Sequence, residues 1–167
     1  MIWIFEPLDS QHDRQGFTTS QTSLELFIKQ QARQEMSKGV SVTYVMRQKE
    51  SMLIIGYYSL SAHSVRASDL PEALSRKLPR YPQIPALLLG RLAIDSRFQG
   101  QGLGSMLLYN ALETALQTSH LIGAVAVVVD ALDEAAASFY AKYDFRRFEG
   151  TPNRLYVLMK TIDGMVN

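Results

Sequence analysis

The 167-residue sequence contains no cysteine, which excludes a disulfide framework, a thiolate zinc site and a cysteine nucleophile. Its 17 Lys and Arg against 16 Asp and Glu leave a net charge of +1, so a nucleic-acid partner would need a local basic patch. No apolar run approaches the ~20 residues that span a bilayer. Because residues 1–10 also lack the basic start and long apolar centre of a signal peptide, we expect a cytoplasmic protein with no membrane segment.

Hydrophobic residues make up 47% of the chain, enough to build the core of one domain over residues 1–167. The first half predicts a strand at residues 2–7 and a helix that starts at Thr22. Thr22 as the N-cap and Glu25 three residues later fit a capping box. Two alternating segments, residues 39–47 and 52–61, predict an antiparallel hairpin. A long connection over residues 62–85 with a short helix at 69–77 follows.

The second half begins with an apolar strand that ends at Asp95, followed by a glycine-rich turn and an amphipathic helix. A nearly continuous apolar strand at residues 123–130 comes next, and because the helix crosses between two buried strands, we expect them to be parallel neighbours. A helix at residues 133–143 and strands at 145–148 and 154–160 complete the chain. The pattern predicts an α/β (α+β) fold, with a central, mostly antiparallel mixed sheet flanked by helices.

The turn at residues 99–104 reads Gln-Gly-Gln-Gly-Leu-Gly and is typical of a site for an anionic ligand. The first N–H groups of the following helix point into the turn, and glycines let the backbone approach a pyrophosphate closely. A Walker A loop is excluded because the required lysine is absent, and the dinucleotide fingerprint fails because Gly104 comes one residue early. A plain strand-to-helix turn remains as the alternative.

The motif Gln99-x-x-Gly102-x-Gly104, with the strand before it and residues 135–145 (AAASFYAKYDF) after it, resembles the GNAT acyltransferase superfamily. The resemblance implies acetyl-CoA as the acetyl donor, with loop amides on the pyrophosphate and the preceding strand on the pantetheine arm. Asp133 stands where the family commonly has asparagine, and Asp144 where it commonly has glycine. The implied cofactor-binding residues are Leu92, Ala93, Ile94, Gln99, Gly100, Gln101, Gly102, Leu103, Gly104, Asp133 and Ala136.

Tyr140 occupies the position at which many GNAT enzymes keep a general acid. A thiol has a pKa of about 8.5 and a tyrosine of about 10, so a tyrosine stays protonated and can supply the proton that the departing thiolate needs. Because Tyr140 shares a helix face with Phe139 and Ala136, a purely structural aromatic is the competing interpretation. No side chain stands out as a general base, which fits an acceptor amine whose pKa lies near neutrality.

Four segments resemble the GNAT toxins of type II toxin–antitoxin modules: residues 23–34, 57–65, 82–95 and 99–112. The resemblance implies acetylation of the α-amine of aminoacyl-tRNA, a block of translation, a ribbon-helix-helix antitoxin and a homodimer. A tRNA acceptor requires cations for its phosphates. The candidate cations are Lys29, Arg33, Lys38, Arg76, Lys77, Arg80 and Arg91. A solvated helix face for the first three and a structural ion pair for Arg91 are the alternatives.

The rival hypothesis is an ordinary GNAT enzyme that acetylates a small amine or a protein N-terminus. Such an enzyme would need carboxylates converging on a cationic amine, and residues 20–80 hold few acids, which favours an anionic macromolecule. A third hypothesis treats acetyl-CoA as a regulatory ligand of a protein without catalytic activity. Loss of activity in Tyr140→Phe with intact cofactor binding separates this from catalysis.

Overall fold

The computed structural model describes residues 1–167, and seven strands form one sheet in the order β1-β2-β3-β4-β5-β7-β6. The strands are β1 (Trp3–Pro7), β2 (Val42–Gln48), β3 (Gly56–Arg66), β4 (Gln83–Ile94), β5 (Ala126–Asp130), β6 (Arg146–Phe148) and β7 (Thr151–Leu158). The helices are α1 (Thr22–Leu26), α2 (Ala32–Ser37), α3 (Glu72–Ser75), α4 (Leu103–Ile122), α5 (Glu134–Ala141) and α6 (Met159–Val166). None of them combines the length and the apolar character of a membrane-crossing segment.

The sheet is mixed, as the sequence predicts. β4 and β5 pair in parallel from Ala86–Ala126 to Leu89–Val129, because α4 carries the chain back between them. The pairs β1–β2, β2–β3, β5–β7 and β6–β7 are antiparallel. The predicted fold class and the predicted parallel neighbours are therefore confirmed.

The predicted capping box at the first helix is wrong. The N-cap is Gln21, which makes no side-chain capping hydrogen bond, and Thr22 is already helical. Glu25 does reach back, but its carboxylate accepts from the N–H of Thr19 at 3.0 Å rather than from the amide of Thr22. A π-helical turn at Phe27–Gln31 then separates α1 from α2, where the apolar spacing predicted one continuous helix.

Two further boundaries differ from the prediction. β3 continues to Arg66, so His63 lies in a strand and not in the connection. Residues 61–65 read Ser-Ala-His-Ser-Val, and because their polar and apolar residues do not alternate, the period-2 pattern does not show this part of the strand. The final strand ends at Leu158, and α6, which the sequence did not predict, follows directly.

The chain divides into two compact units. The first comprises Met1–Ser61 and Gly90–Ala111, and the second comprises Ala62–Leu89 and Leu112–Asn167; β3, β4 and α4 each run from one unit into the other. In the first unit the core centres on Tyr57, whose ring contacts Phe17 edge-on and stacks with Phe27. The Tyr57 hydroxyl donates to the carbonyl of Leu24 at 2.6 Å, so the one polar atom of this buried ring is satisfied.

The core of the second unit lies on one face of β3, β4, β5 and β7. Its buried residues are Val65, Leu70, Ile84, Ala86, Val128, Phe148 and Tyr156. Leu70 comes from the connection between β3 and β4, and Leu74 of α3 packs against the same cluster. The long connection between β3 and β4 is thus fixed in part by apolar side chains that it buries against the sheet.

Candidate active site

The glycine turn links the end of β4 to the start of α4 in the first unit. Gly100 and Gly102 have φ angles of 79° and 77°, a conformation that residues with a side chain rarely adopt. A Cβ atom at either position would meet nothing within 4 Å, so the backbone conformation, not space, requires glycine. The turn leads into a 20-residue helix whose first N–H groups have no partner within the helix. An anion with several oxygen acceptors fits this arrangement.

Asp95 fixes the start of this turn. Its side chain is fully buried, and its carboxylate accepts from the N–H groups of Thr18 and Arg97, each at 2.9 Å, and from the Arg97 guanidinium. Arg97 also donates to the carbonyl of Gly16 at 2.6 Å. Burial alone would raise the pKa of the Asp95 carboxyl, but these hydrogen bonds together lower it below its ordinary value. The cluster ties residues 16–18 to the segment that carries the glycines.

The predicted cofactor-binding residues of the first unit lie in one continuous stretch. Ala93 is buried, Leu92 and Ile94 are half-buried at the end of β4, and Leu103 is buried at the start of α4. The four residues between the short turn after Asp95 and α4, residues 99–102, are exposed. Gln99 donates from its side chain to the carbonyl of Ile94 at 3.2 Å, which closes the turn onto the strand. Gly104 lies in the first turn of α4.

Tyr140 lies on α5 in the second unit, between two aromatic rings. Its ring centroid is 5.4 Å from that of Phe139 and 5.2 Å from that of Phe145, and the residue is 8% exposed. Burial raises the pKa of the Tyr140 phenol, so the hydroxyl keeps its proton throughout the physiological pH range. This protonation state is the one that a proton donor requires.

Asp133 and Ala136, the other predicted cofactor contacts, meet each other at the start of α5. Asp133 is the N-cap, and its carboxylate accepts from the N–H of Ala136 at 2.8 Å. Asp133 thus has a structural role that its position just before the helix explains. Asp144 adopts a φ of 67°, which confirms that aspartate can serve at the turn where the related motif has glycine.

The seven candidate tRNA-binding cations fall into two groups. Lys29, Arg33, Lys38 and Arg91 belong to the first unit, and Arg76, Lys77 and Arg80 belong to the second. Arg91 stacks its guanidinium on the ring of Phe27, 3.8 Å from the centroid. The alternative interpretation of Arg91, a structural ion pair, predicted a carboxylate partner, and the observed partner is this aromatic ring instead.

Two of the other cations are paired locally. Lys29 lies 3.5 Å from Glu25, and Arg76 donates to Glu72, each across one helical turn. Arg33, Lys38, Lys77 and Arg80 are exposed. The Arg76–Glu72 pair is exposed and can exchange partners at little cost in free energy, whereas the Lys29–Glu25 pair is half-buried, with Lys29 20% exposed.

Sequence reasoning missed a polar cluster at the end of β5. Asp130 lies opposite Arg154 in the β5–β7 register, with 3.1 Å between Asp130 Oδ1 and Arg154 Nε. Arg154 Nη2 lies 2.9 Å from His63 Nε2. Burial, and then the charge of Arg154, lower the pKa of His63 against the opposing effect of Asp130. The sequence signal for this cluster was an acidic residue, Asp130, at the end of an apolar strand and a basic residue, Arg154, near the start of the strand that pairs with it.

Comparison with known protein families shows to which family the chain belongs. A family model described as an acetyltransferase (GNAT) domain matches residues 41–147, more than half of the chain. The chain belongs to the GNAT acetyltransferase family. The matched segment contains the glycine turn and Tyr140, so the motif that suggested the family lies within the match.

Two relatives are similar to this acetyltransferase along nearly its whole length. A probable toxin TacT of Sinorhizobium fredii is 32% identical over 172 residues, which cover 98% of this chain and 94% of the relative. A tRNA-acetylating toxin of Mycobacterium tuberculosis is 32% identical over 154 residues, which cover 92% of this chain and 90% of the relative.

Solved structures of similar proteins superpose on nearly the whole of this chain. AtaT complexed with acetyl-methionyl-tRNAfMet superposes with a TM-score of 0.91 at 29% identity, over 99% of this chain and 100% of that one. A tyrosine-to-phenylalanine mutant of the AtaT toxin, bound to the C-terminus of the antitoxin AtaR and to acetyl-CoA, superposes with a TM-score of 0.83. It is 27% identical, and the superposition covers 99% of each chain.

Proposed function

We propose that this protein is a toxin that transfers the acetyl group of acetyl-CoA to the α-amine of aminoacyl-tRNA and so blocks translation. The observation that carries the proposal is the likeness along nearly the whole chain to toxins named as acetylating tRNA. An N-acetylated aminoacyl-tRNA has no free amine with which to form the next peptide bond, so the acetylated pool is lost to elongation.

Acetyl-CoA supplies the acetyl group as a thioester. The amides of Gly100, Gln101 and Gly102, with the N-terminus of α4, bind its pyrophosphate, because the left-handed glycines leave this backbone open to an anion. The main chain of Leu92, Ala93 and Ile94 binds the pantetheine arm. Asp95 holds this strand end and turn in place through the hydrogen bonds described above.

Tyr140 is the general acid of the proposed reaction. The acceptor amine forms a C–N bond to the thioester carbonyl carbon while the C–S bond breaks, and the sulfur takes the phenolic proton of Tyr140. The amine nitrogen loses a proton to solvent, and solvent returns a proton to the Tyr140 phenolate. An aminoacyl ester has a more acidic α-ammonium group than lysine, so the free amine is present at neutral pH and a strong general base is not needed.

The acceptor implies contacts to RNA, and the resemblance to toxin–antitoxin proteins implies the other partners. The acceptor RNA contacts Lys29, Arg33, Lys38, Arg76, Lys77, Arg80 and Arg91 through its phosphates. A ribbon-helix-helix antitoxin neutralises the toxin, two copies of the chain form a homodimer, and the reaction takes place in the cytoplasm, where charged tRNA is used.

Controlled expression in a bacterial host tests the proposal. Expression of the wild-type chain is expected to stop growth, expression of Tyr140→Phe is not, and co-expression of a small DNA-binding protein from the neighbouring gene is expected to restore growth. Growth arrest that persists in Tyr140→Phe would argue against Tyr140 as the general acid. Harmless expression of the wild type would favour an ordinary acetyltransferase of small amines or protein N-termini.

A further inference from the structure

A cavity of about 500 Å³ opens where β5 ends in the second unit. It is lined by Asp130, Ala131, Thr151, Pro152, Asn153 and Arg154. The N–H of Ala131 donates to the carbonyl of Asn153 at 2.7 Å, so the two walls are joined by backbone hydrogen bonding beyond the last paired residues of the strands. The cavity therefore lies where the β5–β7 pairing ends.

Two oppositely charged side chains face this cavity together. Asp130 is 61% exposed and Arg154 is 38% exposed, and the β5–β7 register holds them opposite each other. Their contact is an ion pair without hydrogen-bond geometry, and Arg154 Nε is buried without a hydrogen-bond partner. The exposed Asp130 carboxylate can accept hydrogen bonds from a ligand, and a guanidinium nitrogen of Arg154 other than Nε can donate to one.

His63 holds the guanidinium from the other side. A guanidinium can only donate, so His63 Nε2 must be the acceptor in the 2.9 Å contact and the ring proton must lie on Nδ1. Arg154 then spans from a carboxylate to a neutral imidazole. The whole cluster has no net charge, and its hydrogen-bonding groups are fixed in direction.

These features select the chemical class of the ligand. The exposed carboxylate of Asp130 would repel a free phosphate, and the guanidinium of Arg154 would repel a cationic amine. An apolar side chain would leave both charged groups without partners, which is costly in free energy. A neutral ligand with both donors and acceptors fits, and a nucleoside offers sugar hydroxyls and the polar edge of a base. Ligand sites typically measure about 300–1,000 Å³, which includes the volume of this cavity.

We propose that this cavity binds the terminal nucleoside of the RNA acceptor, with Asp130 accepting from its hydroxyl or amino groups and Arg154 donating to its acceptor atoms. His63 is a positioning residue that keeps Arg154 in place. The inference rests on the proposed function, because it names a contact for the aminoacylated end of that RNA. It adds recognition of a nucleoside by shape and hydrogen bonds to the phosphate contacts of the seven cations.

Two small acceptors that differ only in the nucleoside test the proposal. One is an amino acid joined by an amide bond to 3′-amino-3′-deoxyadenosine, and the other is the simple amide of the same amino acid. The wild type is expected to acetylate the nucleoside form with a kcat/KM higher by about tenfold or more, the ratio that one hydrogen bond to a charged group supplies. Asp130→Asn is expected to bring this ratio close to one and to leave kcat/KM for the simple amide unchanged.

Asp69→Asn is the matched control. Asp69 also forms an exposed pair with an arginine, Arg66, at 3.5 Å, but it does not line the cavity. Both substitutions remove one carboxylate and add the same charge, so a general electrostatic effect would change both variants alike. His63→Ala is expected to lower the ratio in part, and His63→Gln, whose amide oxygen can accept from Arg154, is expected to restore it.

The outcomes separate the two proposals. If the wild type acetylates charged tRNA but shows no preference for the nucleoside form, or acetylates neither small acceptor, the cavity does not bind the nucleoside. The same conclusion follows if Asp130→Asn keeps the wild-type ratio. If the wild type acetylates no charged tRNA at all, the proposed function fails, and the nucleoside site fails with it.

Discussion

Tyr140 is a buried aromatic ring with one polar atom, and both roles predicted for it use the same surroundings. Phe139 and Phe145 fix the ring, and burial keeps the phenol protonated by raising its pKa. The resemblance to GNAT enzymes assigns the hydroxyl a catalytic role. The packing of the ring on α5 would be the same for a purely structural aromatic residue. A substitution that removes the hydroxyl and keeps the ring tests the catalytic role of Tyr140.

Tyr140→Phe keeps the ring contacts and removes the proton donor. We expect kcat to fall by about 10²- to 10⁴-fold, the usual contribution of a positioned general acid, with unchanged affinity for acetyl-CoA. Steady-state acetylation kinetics and calorimetric titration with acetyl-CoA measure the two quantities. Tyr143→Phe, whose ring also contacts Phe139, with 5.4 Å between the ring centroids, is the control and is expected to keep its kcat. An unchanged kcat in Tyr140→Phe would leave the tyrosine a purely structural role.

Asp95 gives a prediction about pH. Its folded-state pKa is lowered, so the carboxylate stabilises the fold above the unfolded-state pKa of about 3.9, and this stabilisation is lost as the pH falls through the folded-state value. We expect Asp95→Asn to lower the Tm at neutral pH and the difference from the wild type to shrink in acid. Thermal denaturation followed by circular dichroism at several pH values measures this. A difference that grows in acid would contradict the assigned role of Asp95.

At the scale of elements, the strand–turn–helix of residues 83–122 was the part of the fold that the sequence predicted best. The apolar run, the glycines and the amphipathic helix each have a distinct pattern, and their order allows few arrangements. The π-helical turn at Phe27–Gln31 was not predictable, because its apolar spacing is also that of a regular helix. α6 was missed because the apolar run that marks the final strand continues into Met159, the first residue of the helix, and the helix is only eight residues long.

The glycine turn itself gives a prediction with a matched control. Gly102 and Gly39 both have positive φ angles, 77° and 72°, and a Cβ atom at either would meet nothing within 4 Å. Alanine in this conformation costs roughly 1–2 kcal/mol, so Gly102→Ala and Gly39→Ala are expected to lower the free energy of unfolding by similar amounts. Only Gly102→Ala is expected to raise the KM for acetyl-CoA, as steady-state kinetics will show. Equal KM values in the two variants would separate the turn from cofactor binding.

At the scale of the whole molecule, family membership was predictable and the acceptor site was not. The glycine motif lies in one stretch of sequence, so the family could be predicted from local pattern, and the family match confirms it. The cluster of His63, Asp130 and Arg154 joins three strands: the β5–β7 register places Asp130 opposite Arg154, and the side chain of Arg154 reaches His63 on β3, which does not pair with β7. Register depends on the packing of the whole sheet, so the sequence supplied each residue without showing that they meet. The single domain over residues 1–167 and the individual site roles stay predictions.

The proposed reaction has one defining product, an aminoacyl-tRNA acetylated on its α-amine. The purified protein is incubated with acetyl-CoA and a set of individually charged tRNAs. The RNA is then digested with ribonuclease, and the masses of the aminoacyl-adenosine fragments are measured by mass spectrometry. We expect one or more fragments to gain the mass of one acetyl group on the amino acid, and uncharged tRNA to gain nothing. Acetylation of a polyamine or a peptide N-terminus, with every charged tRNA unmodified, would contradict it.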